Sequence, residues 1–319
     1  MTLINKVRSS SIARFLLRGT LLTLPLAPVT LAEEAPDPER LTLASVSAAV
    51  APIGAETPFY TKRADWSMPI ASVTKLMTGL VVLESGASLD EWLTVEERHF
   101  PPAANAFSRL RPGSEAQRGD LLRIALMSSE NYAAYLLARH HPEGYDAFIE
   151  AMNEKARSLG MTRTRFVDSS GLSDDNVSSA GDLLKLAQAA YGNETLRELS
   201  ADGRHSVRFR KPGYTLHFGN TNPLVHSGRW DVDLTKTGYL TAAGRCLVMV
   251  TEMNGEPTAV VLLNSFGTRT PLGDAGRIRR WIENGTASTV AQAALRYEQE
   301  TAERLSGQQV AESGAAQSP

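Results

Sequence analysis

The hydrophobic pattern changes its period twice along this chain. Ala44 to Ala51 and Pro58 to Lys62 read as two short strands around a turn containing Pro and Gly. Trp66 to Pro69 reads as a loop. From about Ser72 the spacing becomes helical: Leu76, Met77, Leu80, Val81 and Leu83 share a face, and Gly86 ends the run. Asp120 to Arg139 is a second apolar helical region, interrupted around Ser128-Ser129-Glu130-Asn131. Gly144 to Leu159 is a third helix, closed by Gly160, and Ser179-Ala-Gly-Asp182 is a capping box opening another through Tyr191. The period then drops to two. Tyr214 to Phe218 and Asp231 to Tyr239 are strands. Arg245 to Met253 and Pro257 to Asn264 flank Asn254-Gly255, a strong hairpin signal. A helix from Arg277 to Ile282 closes the body.

Strands at both ends and helices in the middle predict an α+β fold. The simplest packing is one antiparallel sheet built from N- and C-terminal strands, with a helical cluster on one side. No internal repeat is visible. The 319 residues, 42% apolar and 21% charged, suffice for a sizeable core and are ordinary for a globular protein.

The two ends depart from this pattern. Lys6, Arg8, Arg14 and Arg18 precede an apolar run from Gly19 to Val29 and a small residue, Ala32, with no acid among them. That is the layout of a secretory signal cut near Ala32-Glu33, and the run is too short to span a bilayer. The expected organisation is therefore a signal peptide over 1–32, a linker over 33–40 and a catalytic domain over 41–285. A polar, partly helical or disordered tail covers 286–319, rich in Ala, Gln, Glu and Ser, and is expected to be solvated, with a helix to about Leu305. Removing the leader takes four cations and no acids, moving the formal net charge from -2 to -6. Bulk charge thus disfavours nucleic acid as a partner. The single cysteine, Cys246, cannot pair internally; its apolar strand context makes it a buried, inert thiol.

Three short motifs carry the chemistry. Ser72-Val-Thr-Lys75 opens the first helix, so Ser72 and Lys75 face the same side. A lysine can take a serine proton only when neutral. Burial and a neighbouring cation, here Lys236, both push its pKa down. Ser129 and Asn131 stand two apart at the helix interruption, where a turn points both side chains one way. The hydroxyl can relay a proton to a leaving amine, and the carboxamide can hold both polarities of a substrate amide. Lys236-Thr237-Gly238 lies on a predicted strand. Lys236 and Thr237 can recognise a carboxylate, and Gly238 lets a substrate backbone approach the strand. The amides of Ser72 and Tyr239 are the candidate oxyanion hole. Each motif is weak alone. In this order they form the signature of a serine acyl-transferase with a lysine beside its nucleophile. No Gly-x-Ser-x-Gly elbow, His-Glu-x-x-His, phosphate loop or dinucleotide fingerprint is present, and the six histidines lack metal-site spacing.

These motifs resemble those of the penicillin-binding, low-molecular-mass D-Ala-D-Ala peptidases, of β-lactamase/DD-peptidase-like fold. The likeness extends to Pro69–Thr78, Phe166–Leu172, Asn220–Val225 and Lys236–Val250, spanning roughly Leu41 to Glu283. Met127–Asn131 and Ala243–Met249 look like the periplasmic endopeptidase subgroup. The resemblance implies that Ser72 attacks a D-Ala carbonyl of a peptidoglycan stem peptide and that Lys75 is the base. It further implies that Ser129 passes the proton on and that Asn131, Lys236 and Thr237 bind substrate. It implies no metal or organic cofactor, acylation of Ser72 by β-lactam antibiotics, and at most loose membrane association.

Two alternatives stay open on the same scaffold: a carboxypeptidase or β-lactamase, and a non-catalytic binder of wall peptides. The related carboxypeptidases carry an additional C-terminal β-domain and an amphipathic anchor, and the chain's early end favours the endopeptidase. Class A β-lactamases use a glutamate between the second and third motifs. No counterpart is identifiable, although Asp168, Asp174 and Asp175 lie in that interval.

Overall fold

The computed structural model describes residues 37–97, 107–286 and 288–315. The expected signal segment, its cleavage site and the start of the linker lie outside the described residues.

Along the chain the first elements are strands β1 (Ser47–Pro52), β2 (Tyr60–Lys62) and β3 (Met68–Pro69), then helix α1 (Lys75–Glu84). Strands β4 (Trp92–Thr94) and β5 (Glu115–Gln117) precede α2 (Arg118–Met127), α3 (Asn131–Arg139) and α4 (Tyr145–Ser158). Strand β6 (Val177–Ser178) leads into α5 (Ala180–Tyr191) and α6 (Glu194–Ala201). Strands β7 (Arg204–Phe209), β8 (Tyr214–Gly219), β9 (Val232–Leu240), β10 (Gly244–Met253) and β11 (Glu256–Ser265) are followed by α7 (Thr270–Asn284) and α8 (Gln292–Ala315).

Five strands form the main antiparallel sheet in the order β2-β1-β11-β10-β9. Its centre joins the two ends of the chain: Ser47 pairs with Leu263 and Pro52 with Thr258. The Asn254-Gly255 turn, both residues at positive φ, links β10 to β11 as its sequence requires.

Alternation along these strands feeds two cores. Ala49, Val248, Val250, Val261 and Leu263 face the cluster containing α1 to α6. Ala48, Val50, Leu247, Met249, Val260 and Leu262 face α7 through Ala275, Ile278 and Trp281. The expectation of helices on one side is corrected accordingly. Both faces of the central strands are apolar, and a sheet apolar on both faces must be covered on both. Cys246 is buried as expected, and burial pushes its thiol up to about 11.

Further differences have local causes. The expected loop at Trp66 to Pro69 ends in β3, which pairs with β6. The strand β7 carries exposed Arg204, Ser206 and Arg208 on one face, and only Val207 and Phe209 are buried on the other. That weakens its periodic signal. Helix α6 is capped by Asn193, whose side chain accepts from the Leu196 N–H.

The expected solvated tail is also corrected. Helix α8 packs on the body: Ala302 and Leu305 join the main core, and Val290 and Ala294 cover Ala44. Its Glu298 is buried beside Lys62 and Arg63, at 3.1 and 2.5 Å. The Tyr297 hydroxyl donates to Asn264 Oδ1 at 2.6 Å. Small apolar residues and one buried ion pair hold this helix, a combination that composition alone reads as solvated.

Candidate active site

The expected helix start is a short 3-10 turn, Ala71–Thr74, from which α1 continues. Ala71 has φ 49, a left-handed conformation disfavoured for a residue with a Cβ. Ser72 follows it. Thr74 Oγ1 donates to the Ala71 carbonyl at 2.8 Å and steadies the turn.

Lys75 is fully buried, and its three hydrogen-bonding positions are all directed. Nζ lies 2.7 Å from Asn131 Oδ1, 2.5 Å from the Ser170 carbonyl and 2.9 Å from Ser72 Oγ. The first two partners are pure acceptors. A neutral amine donates its two hydrogens to them and turns its lone pair to the Ser72 hydroxyl. Burial lowers the Lys75 pKa to about 7, against an upward pull from Asp168 and then Glu130. The lysine is therefore substantially neutral near neutral pH, as a general base must be.

The break between α2 and α3 places the second motif. Ser129 takes φ 59, and the Glu130 side chain caps α3 by accepting from the Tyr132 N–H. Ser129 Oγ then accepts from Lys236 Nζ at 2.9 Å, while Asn131 meets Lys75. Lys236 also donates to the Thr237 carbonyl at 2.8 Å. Its amine is held well below the ordinary range by burial first and by Lys75 second. The motif spacing predicts that Lys236 helps to lower the Lys75 pKa, but in the structure Lys236 is not among its causes: burial lowers it, against Asp168 and Glu130. In the structure burial is the dominant cause for both lysines. Two buried amines favour sharing one charge between them.

Strand β9 is the sheet edge beside this cluster. The Thr235 N–H leaves the sheet to reach Ser200 Oγ at 3.3 Å, and the Thr237 carbonyl leaves it toward Lys236. Backbone direction alternates along a strand, so the Tyr239 N–H also points off the free edge. It is there the candidate partner of the Ser72 N–H for an oxyanion hole. A Cβ on Gly238 would come 2.9 Å from the Ile70 carbonyl oxygen and 3.1 Å from the Ser72 nitrogen. The missing side chain of Gly238 thus makes room for the turn that carries Ser72, while Gly238 itself lines the active-site cavity. Thr237 Oγ1 and Thr221 Oγ1 are 2.7 Å apart. A cavity of about 320 Å³ runs past Ser72, Ser129, Asn131, Thr237 and Tyr239, so the structure brings all three motifs to one opening.

Two contributors escape the motif reading, Asp168 and the Ser170 carbonyl. Asp168 organises the loop behind Lys75: Oδ1 accepts from the Ser170 N–H, the Ser170 hydroxyl and the Gly171 N–H, and Oδ2 from the Ser173 N–H. That loop presents the Ser170 carbonyl to Lys75. The Asp168-Ser-Ser-Gly171 cluster of turn residues is the available signal. Asp168 is thereby committed to its own loop, and Asp174 and Asp175 are exposed.

A serine hydrogen-bonded to a buried, neutralisable lysine, with all three motifs on one cavity at a free sheet edge, fits a serine hydrolase of DD-peptidase type. The family model described as D-alanyl-D-alanine carboxypeptidase matches residues 33–267, and the chain belongs to that family of serine DD-peptidases. It is 45% identical over 290 residues to the D-alanyl-D-alanine endopeptidase of Escherichia coli (strain K12), covering 89% of this chain and 93% of that protein. Against the D-alanyl-D-alanine endopeptidase of Pseudomonas aeruginosa it is 43% identical over 297 residues, covering 91% and 96%. Among solved structures, the Streptomyces K15 DD-transpeptidase superposes with a TM-score of 0.71 at 29% identity, covering 76% of this chain and 98% of that one. Penicillin-binding protein D2 from Listeria monocytogenes, in a cefotaxime-bound form, gives 0.64 at 30% identity, covering 75% and 96%.

Proposed function

We propose that this chain is a D-alanyl-D-alanine endopeptidase that hydrolyses D-Ala-diaminopimelate cross-links in peptidoglycan through a Ser72 acyl-enzyme. The observation that carries the reading is the Lys75 geometry: two fixed acceptors aim a neutral amine at Ser72 Oγ, 2.9 Å away. Likeness to two endopeptidases over about nine-tenths of the chain supports the cross-link as substrate.

In this reading Lys75 takes the Ser72 proton as Oγ attacks the D-Ala carbonyl. The Ser72 and Tyr239 amides hold the oxyanion. Lys236 polarises Ser129, whose hydroxyl passes a proton to the departing amine. Asn131, Thr237 and the edge of β9 align the peptide, and Gly238 lets that edge close on the Ser72 turn. Water then releases the acyl group. A β-lactam antibiotic enters as a substrate whose leaving amine stays tethered. The enzyme works in the periplasm after removal of a signal peptide near Ala32-Glu33. Its catalytic domain spans 41–285, and it contributes to wall remodelling and cell shape.

The test is a chromatographic digest of purified cross-linked dimers and uncross-linked pentapeptides by the mature protein and by Ser72→Ala. Loss of dimers to monomers, absent in the variant, is the expected result. Release of D-Ala from pentapeptides with dimers untouched would make it a carboxypeptidase. No change in either substrate would leave a binding protein.

A further inference from the structure

Two stretches of the chain carry no acidic residue: none lies between Glu97 and Glu115, and none between Asp202 and Asp231. The fold packs them together. The strands β7 and β8 form a two-stranded sheet, against which Arg109 donates to the His217 carbonyl at 2.8 Å and the Arg111 N–H to the Tyr214 hydroxyl at 3.0 Å. Arg109, Arg111, Arg204, Arg208, Arg210 and Lys211 are all exposed there. Neighbouring carboxylates are already engaged, Glu115 by Arg210 and Lys211, Asp120 by His205 and Asp202 by Arg123. That leaves Arg109, Arg111, Arg204 and Arg208 without an acidic partner among the described residues. The chain as a whole has a formal net charge of -2, so this concentration of cations is local.

Three of the guanidinium groups lie on aromatic rings: Arg109 is 4.9 Å from the Phe218 centroid, Arg111 4.6 Å from that of Tyr214, and Arg210 3.9 Å from that of Trp92. A ring holds a guanidinium without neutralising it, and a planar fork so held suits a carboxylate. Arg204, Ser206 and Arg208 share one face of β7, and their partners on β8 are Gly219, His217 and Thr215. That exposed face of the hairpin is polar throughout, without the apolar residues that a bilayer interface requires. It also has a direction. Arg204 pairs with Gly219, the last residue of β8. Thr221, just beyond, meets Thr237 at 2.7 Å and lines the active-site cavity. The cations thus begin near the opening and continue along the hairpin to Arg210 and Lys211.

The polymer that supplies the bond to be cut is itself anionic. Each diaminopimelate of a cross-link keeps a free carboxylate, ionised at neutral pH, and such groups recur in the units around the bond held in the cavity. We propose that the β7–β8 hairpin, with Arg109 and Arg111, is a second binding surface outside the active-site cavity, which holds peptidoglycan through the stem-peptide carboxylates of neighbouring units. This rests on the proposed action on peptidoglycan and extends it to a place that takes no part in the chemistry. Each exposed ion pair is weak alone, so the hold depends on several forming at once.

The experiment measures sedimentation of the mature protein with purified sacculi, using Ser72→Ala so that nothing is cleaved. That variant is compared with the same protein carrying Arg204→Ala and Arg208→Ala, or Arg204→Lys and Arg208→Lys. Sacculi whose carboxyl groups have been converted to carboxamides are run beside native ones. The double alanine change is expected to weaken binding to native sacculi about tenfold and the lysine change by less, both differences shrinking at high salt. Amidated sacculi should bind all three proteins weakly and alike. With Ser72 present, both double variants should keep the wild-type rate of acylation by benzylpenicillin; a fall in that rate would place these arginines in the catalytic machinery and overturn the proposal. Equal binding of the alanine variant and its parent to native sacculi also overturns it, as does a difference that persists on amidated sacculi. Loss of binding to phosphatidylglycerol vesicles, with sacculus binding unchanged, would assign the surface to a membrane instead. No turnover is involved, so the binding result stands whether or not cross-links are cut: dimers left intact by wild type would overturn the endopeptidase reading alone.

Discussion

Gly171 touches the backbone of Ala71 so closely that a Cβ on it would stand 2.0 Å from the Ala71 carbonyl oxygen and 2.8 Å from Thr74 Oγ1. Its φ of 78 also requires the left-handed region. The loop behind Lys75 and the turn carrying Ser72 are therefore fitted against each other through a residue with no side chain. Gly171→Ala should push the two apart, lengthening the Ser72–Lys75 contact. We expect penicillin acylation to fall at least about a hundredfold and stability by about 1–3 kcal/mol. Labelling kinetics and urea unfolding measure both, and an acylation rate within a few-fold of wild type would disprove the fit.

Acylation should depend on pH through Lys75. Only the neutral amine can accept the Ser72 proton, and its pKa is about 7. The rate of acylation therefore rises about tenfold per pH unit below that value and levels off above it. The same shift affects stability. Between about 7 and the ordinary 10.5 the unfolded lysine holds its proton while the folded one releases it. The unfolded state binds more protons there, so this group makes stability rise with pH across that window, and its burial is most costly below it. Lys236, shifted in the same direction, adds to the trend. Stopped-flow acylation across neutral pH checks the first part; a flat profile would refute the base assignment.

Asp168 links the loop to that titration. Its charge is the first of the two that raise the Lys75 pKa, and its carboxylate accepts four hydrogen bonds. Asp168→Asn removes the charge and turns an NH₂ toward backbone donors. The midpoint of the acylation profile should move to lower pH, and stability should drop by about 2 kcal/mol. An unmoved midpoint in a folded variant would show that Asp168 does not act on Lys75.

The last helix makes a prediction of its own. Glu298 is buried against Lys62 and Arg63, and Lys62 is itself held low by burial. Glu298→Ala leaves two cations facing each other on β2 and its following turn. A loss of about 2–4 kcal/mol is expected, because breaking a buried pair leaves charge uncompensated. The double variant with Lys62→Met should recover part of it. Additive losses in that cycle, read by denaturant melts, would show that the pair is not coupled.

The legible parts of this molecule are those where residue type carries the constraint. The spacing of Ser72 and Lys75, the break at Ser129, and the alternation of β9 to β11 can all be read from side chains. What escapes depends on backbone or on partners remote in sequence. The Ser170 carbonyl is an acceptor that any residue could supply, and its position is set by Asp168. The face of Gly238 is fixed by Ile70 and Ser72, which no local pattern reveals. Helix α7 begins at Thr270, ahead of its expected start at Arg277. Pro271 stands in its first turn, where a missing N–H leaves no intrahelical bond unmade, so the proline opens the helix rather than barring it. Helix α8 docks through Ala294, Ala302 and one glutamate, none of which differs in kind from residues of a solvated segment.

The sheet order carries a consequence for timing. Ser47 finds its partner in Leu263, and the Ser72 turn leans on Gly238, so the central pairing cannot form while the chain ends short of β11, nor the seat of the Ser72 turn while it ends short of β9. Such distant pairings fold slowly and late. A growing chain therefore carries Ser72 for well over a hundred residues before the strand that seats its turn has been made, and the two halves of the sheet meet last of all.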